Sequence, residues 1–427
     1  MTQEVDQKLK RAIVAAVQLP SVSDLEFDAS LTELRQLAKT LGFEVVSRFT
    51  QKRAGFDKAA YFGLGKREEL RLLREEHSVD VILIDHEISP SQAFNLEKEA
   101  GCQVMDRTMV ILEIFHRHAS SRIARAQVEI ARLGYMAPRL REAAKQAGPK
   151  DRARSGTGGR SGGESHGELD RRKIRDRISE LQKELDAMDH GRRTQRARRQ
   201  ERQGLARVAL VGYTNAGKST LMRALTGNEA LVADKLFATL DTTVRALHPE
   251  SVPRVLVSDT VGFIKNLPHG LVASFKSTLD EALEASLLAH VVDASDAGFE
   301  RQLAVTEQVL DEIGAKNVPR LLVFNKIDRG GDEAALRANY PGCIVMSARR
   351  EGDIAKLREA IAAFFQRDLV EAELFLPWSA QNLRGEIFAS CKVLEERSDS
   401  EGAFLRVRGD AEAVKRLREQ FGRGKDK

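Results

Sequence analysis

The stretch Gly212–Ser219 constrains the fold of this chain more than any other, because its G-x-x-x-x-G-K-S spacing is that of a phosphate-binding loop. It follows the apolar run Val208–Val211 and precedes the helix-like Thr220–Leu225, which is the strand–loop–helix order that such a loop requires. Glycines let consecutive backbone N–H groups point at phosphate oxygens, and the N-terminus of the next helix adds partial positive charge. The stretch therefore predicts an α/β nucleotide-binding domain.

The lysine and the serine that end the loop carry its chemistry. We expect Lys218 to reach the β- and γ-phosphates and to stabilise the transition state, and the Ser219 hydroxyl to bind Mg²⁺. A glycine loop that only turns the chain needs neither residue. The predicted phosphate-loop contacts are Gly212, Tyr213, Thr214, Asn215, Ala216, Gly217, Lys218, Ser219 and Thr220.

A threonine-rich stretch, Phe237–Val244, follows where a nucleotide-sensing switch loop is expected. One of its threonines should bind Mg²⁺ and sense the γ-phosphate, and the spacing leaves both Thr239 and Thr242 open. The predicted nucleotide-binding residues here are Phe237, Ala238, Thr239, Leu240 and Asp241.

The strand-like run Val255–Ser258 leads into a D-x-x-G motif. We expect Asp259 to hold Mg²⁺ and the Gly262 amide to meet the γ-phosphate during hydrolysis. Ras-like enzymes place a water-orienting glutamine directly after this glycine, whereas this chain has Phe263. The sequence therefore predicts slow basal hydrolysis that a partner completes. The motif residues are Asp259, Thr260, Val261 and Gly262.

The strand-like run Arg320–Phe324 leads into a base-recognition motif. The carboxylate of Asp328 can accept the N1 and N2 hydrogens of guanine, a pair that adenine lacks. After the run Ile344–Met346, the Ser347–Ala348 backbone can meet the guanine O6. The predicted guanine-binding residues are Asn325, Lys326, Ile327, Asp328, Ser347, Ala348 and Arg349. Four motifs in this order predict a GTP-binding domain that hydrolyses GTP.

The N-terminal third alternates strand-like and helix-like runs, which indicates a small α/β domain with a mostly parallel sheet. Gly63–Lys66 precedes a helix but lacks the full phosphate-loop spacing, so we interpret it as a turn and helix start. His116 and His118 have no acidic or cysteine neighbours, so we interpret them as surface or capping residues.

A helical hairpin is predicted after that domain. Apolar residues recur at helical spacing from Ala124 to Tyr135 and again from Ile174 to Met188, and residues 148–167 between them are rich in Gly, Ser and Arg. Between Arg139 and Gln203 there are 19 Lys and Arg against 11 Asp and Glu, a local balance of +8 that exceeds the +5 of the whole chain. Such a tip is either an inert spacer or a contact to RNA phosphate, and we favour RNA. The predicted contacts are Lys150, Arg152, Arg154 and Arg160.

The fold prediction is thus α/β, with a Rossmann-like P-loop GTPase domain at its centre. With 427 residues, 42% of them hydrophobic, no apolar run is long enough to span a membrane, and no signal-peptide core begins the chain. Three scattered cysteines fit a reducing cytoplasm. The predicted parts are an N-terminal α/β domain at 1–118, the hairpin and basic linker at 119–203, the G domain at 204–366 and a small α+β domain at 367–427.

These motifs together resemble the HflX family of ribosome-associated translational GTPases. The resemblance rests on Gly212–Ser219, Phe237–Asp241, Asp259–Ile264 and Asn325–Asp328, and it extends to Tyr61–Lys66 and Gly134–Arg139. It implies Thr239 as the switch ligand of Mg²⁺. It also implies a cytoplasmic monomer, with a minor membrane-associated fraction, that binds the large ribosomal subunit and its rRNA and splits or rescues stalled ribosomes. The sequence departs from many relatives at Thr242, where they carry proline.

Two other functions remain open on the sequence. The chain could be a GTP-gated switch that regulates a protein or membrane complex, with the hairpin as a protein-binding arm. It could also be an assembly factor or RNA-remodelling ATPase that uses the N-terminal domain. Steep salt dependence would favour rRNA, because contacts to rRNA phosphates should weaken steeply as salt rises.

Overall fold

A computed structural model describes residues 9–146, 171–188, 206–227, 236–237, 243–251, 253–265, 281–367 and 369–421. They divide into two compact units. The first unit contains Met1–Met188, Ala233–Asp241 and Ile264–Lys276; the second contains Asp189–Val232, Thr242–Phe263 and Ser277–Lys427.

The first unit contains the parallel sheet that the alternating pattern predicts. Its strands are β1 (Lys10–Gln18), β2 (Phe43–Lys52), β3 (Val81–Ile84) and β4 (Gln103–Asp106), in the order β2-β1-β3-β4, and all neighbours are parallel. The crossover helices are α1 (Asp24–Thr40), α2 (Leu64–Glu76) and α3 (Pro90–Ala100). Gly63 is the N-cap of α2, so the prediction of a turn and helix start is confirmed.

Two elements of this unit were not predicted, namely β4 and the helix α4 (Arg107–His118). Helix α4 is buried on nearly all sides from Met109 through Phe115, so its sequence is an apolar run, interrupted at Glu113, without the periodicity of a half-exposed helix. Its start is well defined, because the Asp106 carboxylate accepts the Met109 N–H at 2.9 Å.

The predicted helical hairpin is present in the described residues. Helix α5 (Arg122–Gln146) pairs with helix α6 (171–188) through Arg122–Glu184 at 3.1 Å and Arg177–Glu129 at 3.0 Å. From the first pair to the second, the position advances along α5 from 122 to 129 but goes back along α6 from 184 to 177, so the two helices are antiparallel. Residues 147–170 join their ends, and the predicted RNA contacts at the tip lie outside the described residues.

The second unit contains a six-stranded sheet that carries the predicted G domain. Its strands are β5 (Ala206–Gly212), β6 (Thr243–Ala246), β7 (Val255–Asp259), β8 (Leu287–Asp293), β9 (Arg320–Asn325) and β10 (Ile344–Val345). The order is β10-β9-β8-β5-β7-β6, and only the β6–β7 pair is antiparallel. The helices are α7 (Lys218–Thr226), α8 (Phe299–Glu312), α9 (Glu333–Asn339) and α10 (Glu351–Gln366).

This strand order explains how motifs far apart in sequence reach one edge. The five parallel strands β7, β5, β8, β9 and β10 are consecutive neighbours. The phosphate loop, the D-x-x-G motif, the base-recognition motif and the Ser347–Ala348 stretch each lie at the carboxyl end of one of them. In open α/β sheets the ligand crevice lies at this edge.

The same unit ends in a small α+β region, as predicted. Strands β11 (Leu369–Pro377), β12 (Cys391–Ser398) and β13 (Gly402–Asp410) form an antiparallel sheet in the order β11-β13-β12, with helices α11 (Arg384–Ser390) and α12 (Ala411–Phe421). Strand β12 was not predicted, because it is an exposed, charged edge strand without alternating apolar residues. The three cysteines are free. Among the described residues, no helix has the length and apolarity to cross a bilayer.

Candidate nucleotide-binding site

The two glycines of the phosphate loop occupy positions that no other residue fits. Gly212 has φ of +145°, and a Cβ there would lie 2.1 Å from the Val291 carbonyl oxygen of neighbouring strand β8. Gly217 has φ of +96°, and its Cβ would lie 2.3 Å from Nδ2 of Asn325. At these two positions the loop backbone lies so close to strand β8 and to the base-recognition motif that a side chain would clash.

Lys218 is buried at the start of α7, as a phosphate-binding lysine must be. Its Nζ donates to the carbonyl oxygens of Gly212 at 3.0 Å and Tyr213 at 2.8 Å, which holds the ammonium across the mouth of the loop. Burial lowers the pKa of Lys218 to about 8, while the nearby Asp259 carboxylate opposes this shift. The side chain stays mainly protonated at neutral pH, and incoming phosphate charge would raise its pKa.

The D-x-x-G segment lies directly beside the loop. The Phe263 N–H donates to Gly212 O at 3.1 Å, and the Thr214 N–H donates to Phe263 O at 2.7 Å. Gly262 is so close that a Cβ there would lie 3.0 Å from Nζ of Lys218. The Gly262 backbone is thus within reach of the place where Lys218 would bind a γ-phosphate.

The residue after that glycine cannot orient water. The Phe263 side chain is only 1% exposed and is apolar. The absence of a Ras-like glutamine is therefore not compensated at this position, in agreement with the prediction from sequence.

Asn325, at the end of β9, connects three of the motifs. Its Nδ2 donates to Ala216 O at 2.9 Å, and its Oδ1 accepts the Ala348 N–H at 2.9 Å. The side chain is 2% exposed, so these bonds are shielded from water. Sequence reasoning had assigned Asn325 to guanine, whereas the structure shows that its side chain also holds the loops together. Because Asn325 uses the Ala348 N–H, a contact from that group to guanine O6 would have to share or replace this bond.

Lys326 makes a second connection to the phosphate loop. Its Nζ donates to Asn215 O at 2.5 Å and pairs with Asp293 at 2.7 Å. Asp293 was not predicted as a site residue. The signal available in the sequence was its position at the carboxyl end of the buried strand β8, beside Asn325 in register.

Asp328 is exposed and available to a base. A hydrogen bond from the Ser347 hydroxyl is the main cause that lowers the pKa of the Asp328 carboxyl, and Arg349 contributes. Ser347 is itself fixed, because its N–H donates to Asp353 at 3.0 Å. The carboxylate is therefore ionised at neutral pH and able to accept two hydrogens from guanine.

The switch residues are only partly described. Ala238, Thr239, Leu240 and Asp241 lie outside the described residues, as does Thr242. Phe237 is described, and it is buried in the first unit against Phe115. The other predicted nucleotide residues of the described chain surround the carboxyl edge of the six-stranded sheet.

Comparison with known proteins covers most of the chain. The families described as "GTP-binding GTPase N-terminal", "GTP-binding GTPase Middle Region" and "50S ribosome-binding GTPase" match residues 28–116, 118–199 and 207–326. Among solved structures, a GTP-binding protein from Sulfolobus solfataricus in complex with GDP is 23% identical, with a TM-score of 0.44 over 83% of this chain and 99% of that chain.

Two curated relatives align along nearly their whole length. The GTPase HflX of Gluconacetobacter diazotrophicus is 50% identical over 97% of this chain and 98% of that protein. The GTPase HflX of Caldanaerobacter subterraneus is 40% identical over 97% of this chain and 95% of that protein. Identity at this level over the full length means common ancestry, and the phosphate loop and base-recognition motif are intact here, so this GTP-hydrolysing chain belongs to the HflX family of GTPases.

Proposed function

We propose that this GTPase binds the large ribosomal subunit through its helical hairpin and uses GTP to split or rescue stalled ribosomes. It would act as a cytoplasmic monomer, with a minor fraction at the membrane. The proposal retains the four predicted parts at 1–118, 119–203, 204–366 and 367–427. The observation that carries it is the antiparallel hairpin, whose connecting segment contains the basic residues predicted to touch rRNA.

The first helix of the hairpin is long enough to reach into a binding partner. Helix α5 has 25 residues, which corresponds to a length of about 37 Å. Its apolar contacts, among them Ala124 and Val128, are buried near its start, whereas the arginine-rich segment follows its end. The matched family descriptions support the partner, because one of them names binding to the 50S ribosome.

Magnesium is the metal that the site fits. The candidate ligands are the Ser219 hydroxyl, the Asp259 carboxylate and Thr239, which are the oxygen donors that Mg²⁺ prefers. Asp259 is 3% exposed at the end of β7. Its carboxylate lies close enough to Lys218 to raise the pKa of that lysine. Mg²⁺ is usually held jointly by a few side chains and nucleotide phosphates, so this small set of oxygen donors would suffice once GTP is bound.

Bound Mg²⁺ would supply charge neutralisation at the β- and γ-phosphates. This chain's own contribution is positional. Lys218 binds the phosphates, the Gly262 backbone contacts the γ-phosphate, and Asp328 selects guanine. With Phe263 in place of a glutamine, orientation of the attacking water requires a group that the ribosome supplies or rearranges.

Single-turnover GTP hydrolysis tests this function. The full-length protein is assayed alone and with purified large subunits at two salt concentrations. We expect a slow basal rate that rises strongly with subunits at low salt and weakly at high salt, because phosphate contacts are lost as counterions compete.

The basic tip is tested by replacing Lys150, Arg152, Arg154 and Arg160 with alanine. The matched control removes the same charge at exposed lysines elsewhere, Lys10, Lys58, Lys316 and Lys415. Only the tip variant should lose subunit affinity and a part of its salt dependence. No stimulation of the wild type by subunits would instead support a GTP-gated switch for a protein partner.

A further inference from the structure

Asp293 borders the nucleotide site but lies outside all of the sequence motifs that predict it. It is the last residue of β8 and lies opposite Asn325 in the parallel register with β9. The Asp293 side chain is 15% exposed, and that of its ion-pair partner Lys326 is 13% exposed. The pair is therefore largely shielded from water, where an ionised group needs partners that also restrict its orientation.

The two carboxylate oxygens of Asp293 have different partners. Oδ1 accepts the Ser295 N–H at 3.0 Å and the Ser295 hydroxyl at 2.6 Å, both from the turn that directly follows β8. Oδ2 accepts a hydrogen bond from Nζ of Lys326 at 2.7 Å. The bonds to Ser295 fix the carboxylate on its own turn, so the oxygen that faces Lys326 is held in one place.

The backbone of the same turn contacts the base-recognition motif at both of its ends. The Ala294 N–H donates to the Asn325 carbonyl oxygen at 2.8 Å. Gly331, just after the motif, has φ of +117°, and a Cβ there would lie 2.8 Å from the Ala294 carbonyl oxygen. The turn after β8 is thus the surface on which the motif rests.

Lys326 has a backbone conformation that depends on such support. Its φ of +64° lies in the left-handed region, which is uncommon for a residue with a side chain and persists where surrounding contacts hold it. Its Nζ donates to the carbonyl oxygen of Asn215, at 2.5 Å, and Asn215 has φ of +60°. One ammonium group therefore joins two left-handed residues, one in the base-recognition motif and one in the phosphate loop.

The negative charge of Asp293 also balances two neighbouring cations. Burial is the main cause that lowers the pKa of Lys218, and the nearby ammonium of Lys326 contributes to the decrease. Because Asp293 pairs with Lys326, it offsets part of the repulsion between the two lysines. A carboxylate therefore suits this position better than a neutral group of the same shape.

We propose that Asp293 is a positioning residue for nucleotide binding, which orients the Lys326 ammonium onto the Asn215 carbonyl oxygen and so holds the phosphate loop and the base-recognition motif in their binding arrangement. The inference rests on the predicted role of Lys326 in guanine binding. It concerns the nucleotide site alone and does not involve the ribosome.

The test measures the affinity and the dissociation rate of GDP and of a non-hydrolysable GTP analogue, each with a fluorescent ribose label. The full-length protein is used without ribosomes. We expect Asp293→Ala to weaken both nucleotides about tenfold, equivalent to about 1.4 kcal/mol, and mainly through faster dissociation. Both are affected because the connection does not involve the γ-phosphate.

Asp311→Ala is the matched control. It also removes the acid of an ion pair in the second unit, since Asp311 pairs with Arg320 at 3.2 Å. Arg320 begins β9, whereas the site lies where β9 ends. Asp311→Ala should bind both nucleotides like the wild type.

Asp293→Asn tests whether the charge is needed. Its amide oxygen can still accept a hydrogen bond from Lys326, but it carries no negative charge. We expect this variant to recover a part of the affinity that Asp293→Ala loses. A loss as large as that of Asp293→Ala would contradict orientation through this hydrogen bond.

A double-mutant cycle with Lys326→Met separates positioning from a general structural role. Lys326→Met removes the ammonium group and should also weaken both nucleotides about tenfold. The double variant with Asp293→Ala should lose about tenfold as well, because without the ammonium Asp293 has nothing to orient. Independent structural roles would instead multiply the two losses to about 100-fold.

A loss of about 100-fold in the double variant, or wild-type affinity in Asp293→Ala, overturns the inference. If Lys326→Met binds like the wild type, the role given to Lys326 is wrong and the inference fails with it. Stimulation of hydrolysis by large subunits is measured separately, so failure of the ribosome proposal and failure of this inference are distinguishable.

Discussion

The Asn325 side chain donates to the Ala216 carbonyl oxygen at 2.9 Å and thereby connects the base-recognition motif to the phosphate loop. Its other end accepts the Ala348 N–H, so one buried amide sets the spacing between the phosphate and guanine ends of the site. A bound nucleotide must span both ends, so this connection sets the spacing that its base and phosphates have to bridge.

We predict that Asn325→Ala weakens GDP and GTP alike, by about 10- to 100-fold. The change leaves the Ala216 carbonyl and the Ala348 N–H without this partner, which costs about 1–3 kcal/mol for a buried group. Labelled-nucleotide titration measures it, with exposed Asn317→Ala as the control. A loss confined to GTP would contradict the prediction, because this connection does not involve the γ-phosphate.

Gly217→Ala should also abolish tight binding, because the new Cβ would lie 2.3 Å from Nδ2 of Asn325. Part of that clash disappears when Asn325 is shortened, so the double variant with Asn325→Ala should lose less affinity than the two single losses added together. The positive φ of Gly217 remains strained for alanine, so recovery is incomplete. Strict additivity in the four-member cycle would show that the two residues do not interact.

Asp328→Asn should change the base that is recognised. The carboxylate accepts two hydrogens from guanine, whereas an amide presents one donor and one acceptor. We expect GTP affinity to fall by about 100-fold or more, and xanthosine triphosphate, which has a carbonyl in place of the N2 amine, to gain affinity. Exposed Asp332→Asn would be a poor control, because Asp332 caps α9. Asp399 is unsuitable too, because it accepts hydrogen bonds from backbone N–H groups. Asp186→Asn on α6 is the better control, because Asp186 is bonded to the Gln182 side chain rather than to the backbone.

The local motifs of the site were predictable because their chemistry depends on residues adjacent in sequence. Gly212–Ser219 needs only a strand before it and a helix after it. The bracing role of Asn325 was not predictable, because it depends on β9 lying two strands from β5. Helix α4 was missed because burial on nearly all sides removes the polar face that reveals a helix. The anchoring of Phe237 by Phe115 depends on a contact between distant parts of the chain, which no local pattern encodes.

Phe263→Gln should not create a Ras-like enzyme. Because the Phe263 side chain is 1% exposed and its backbone is paired with Tyr213, a glutamine there would be buried away from the attacking water. We expect no gain in single-turnover hydrolysis and a loss of stability of about 2–4 kcal/mol from the lost apolar burial and the buried amide. Phe263→Leu, which keeps the apolar character, should lose less stability. A faster basal rate in Phe263→Gln would show that the side chain can reach the γ-phosphate.

His290 should make the second unit sensitive to mild acid. It is 2% exposed on β8, and among the described residues its Nε2 has no hydrogen-bond partner. Burial is the main cause that lowers the pKa of His290 from 6.5 to about 3, with Arg320 and Lys218 contributing. Because the unfolded chain binds the proton more readily, the stabilisation is complete above pH 6.5 and is lost as the pH falls from there towards 3.

Between pH 7.5 and 5, this residue alone should account for a loss of about 2 kcal/mol. The loss should be absent in His290→Leu, so the difference in stability between wild type and variant should change by that amount. Urea unfolding at each pH, followed by the fluorescence of Trp378, reports on the same unit, since this is the only tryptophan in the chain. Exposed His116→Leu is the control and should follow the wild type. If the curves for His290→Leu and wild type ran parallel across this range, His290 would have to be protonated as easily in the folded protein as in the unfolded chain.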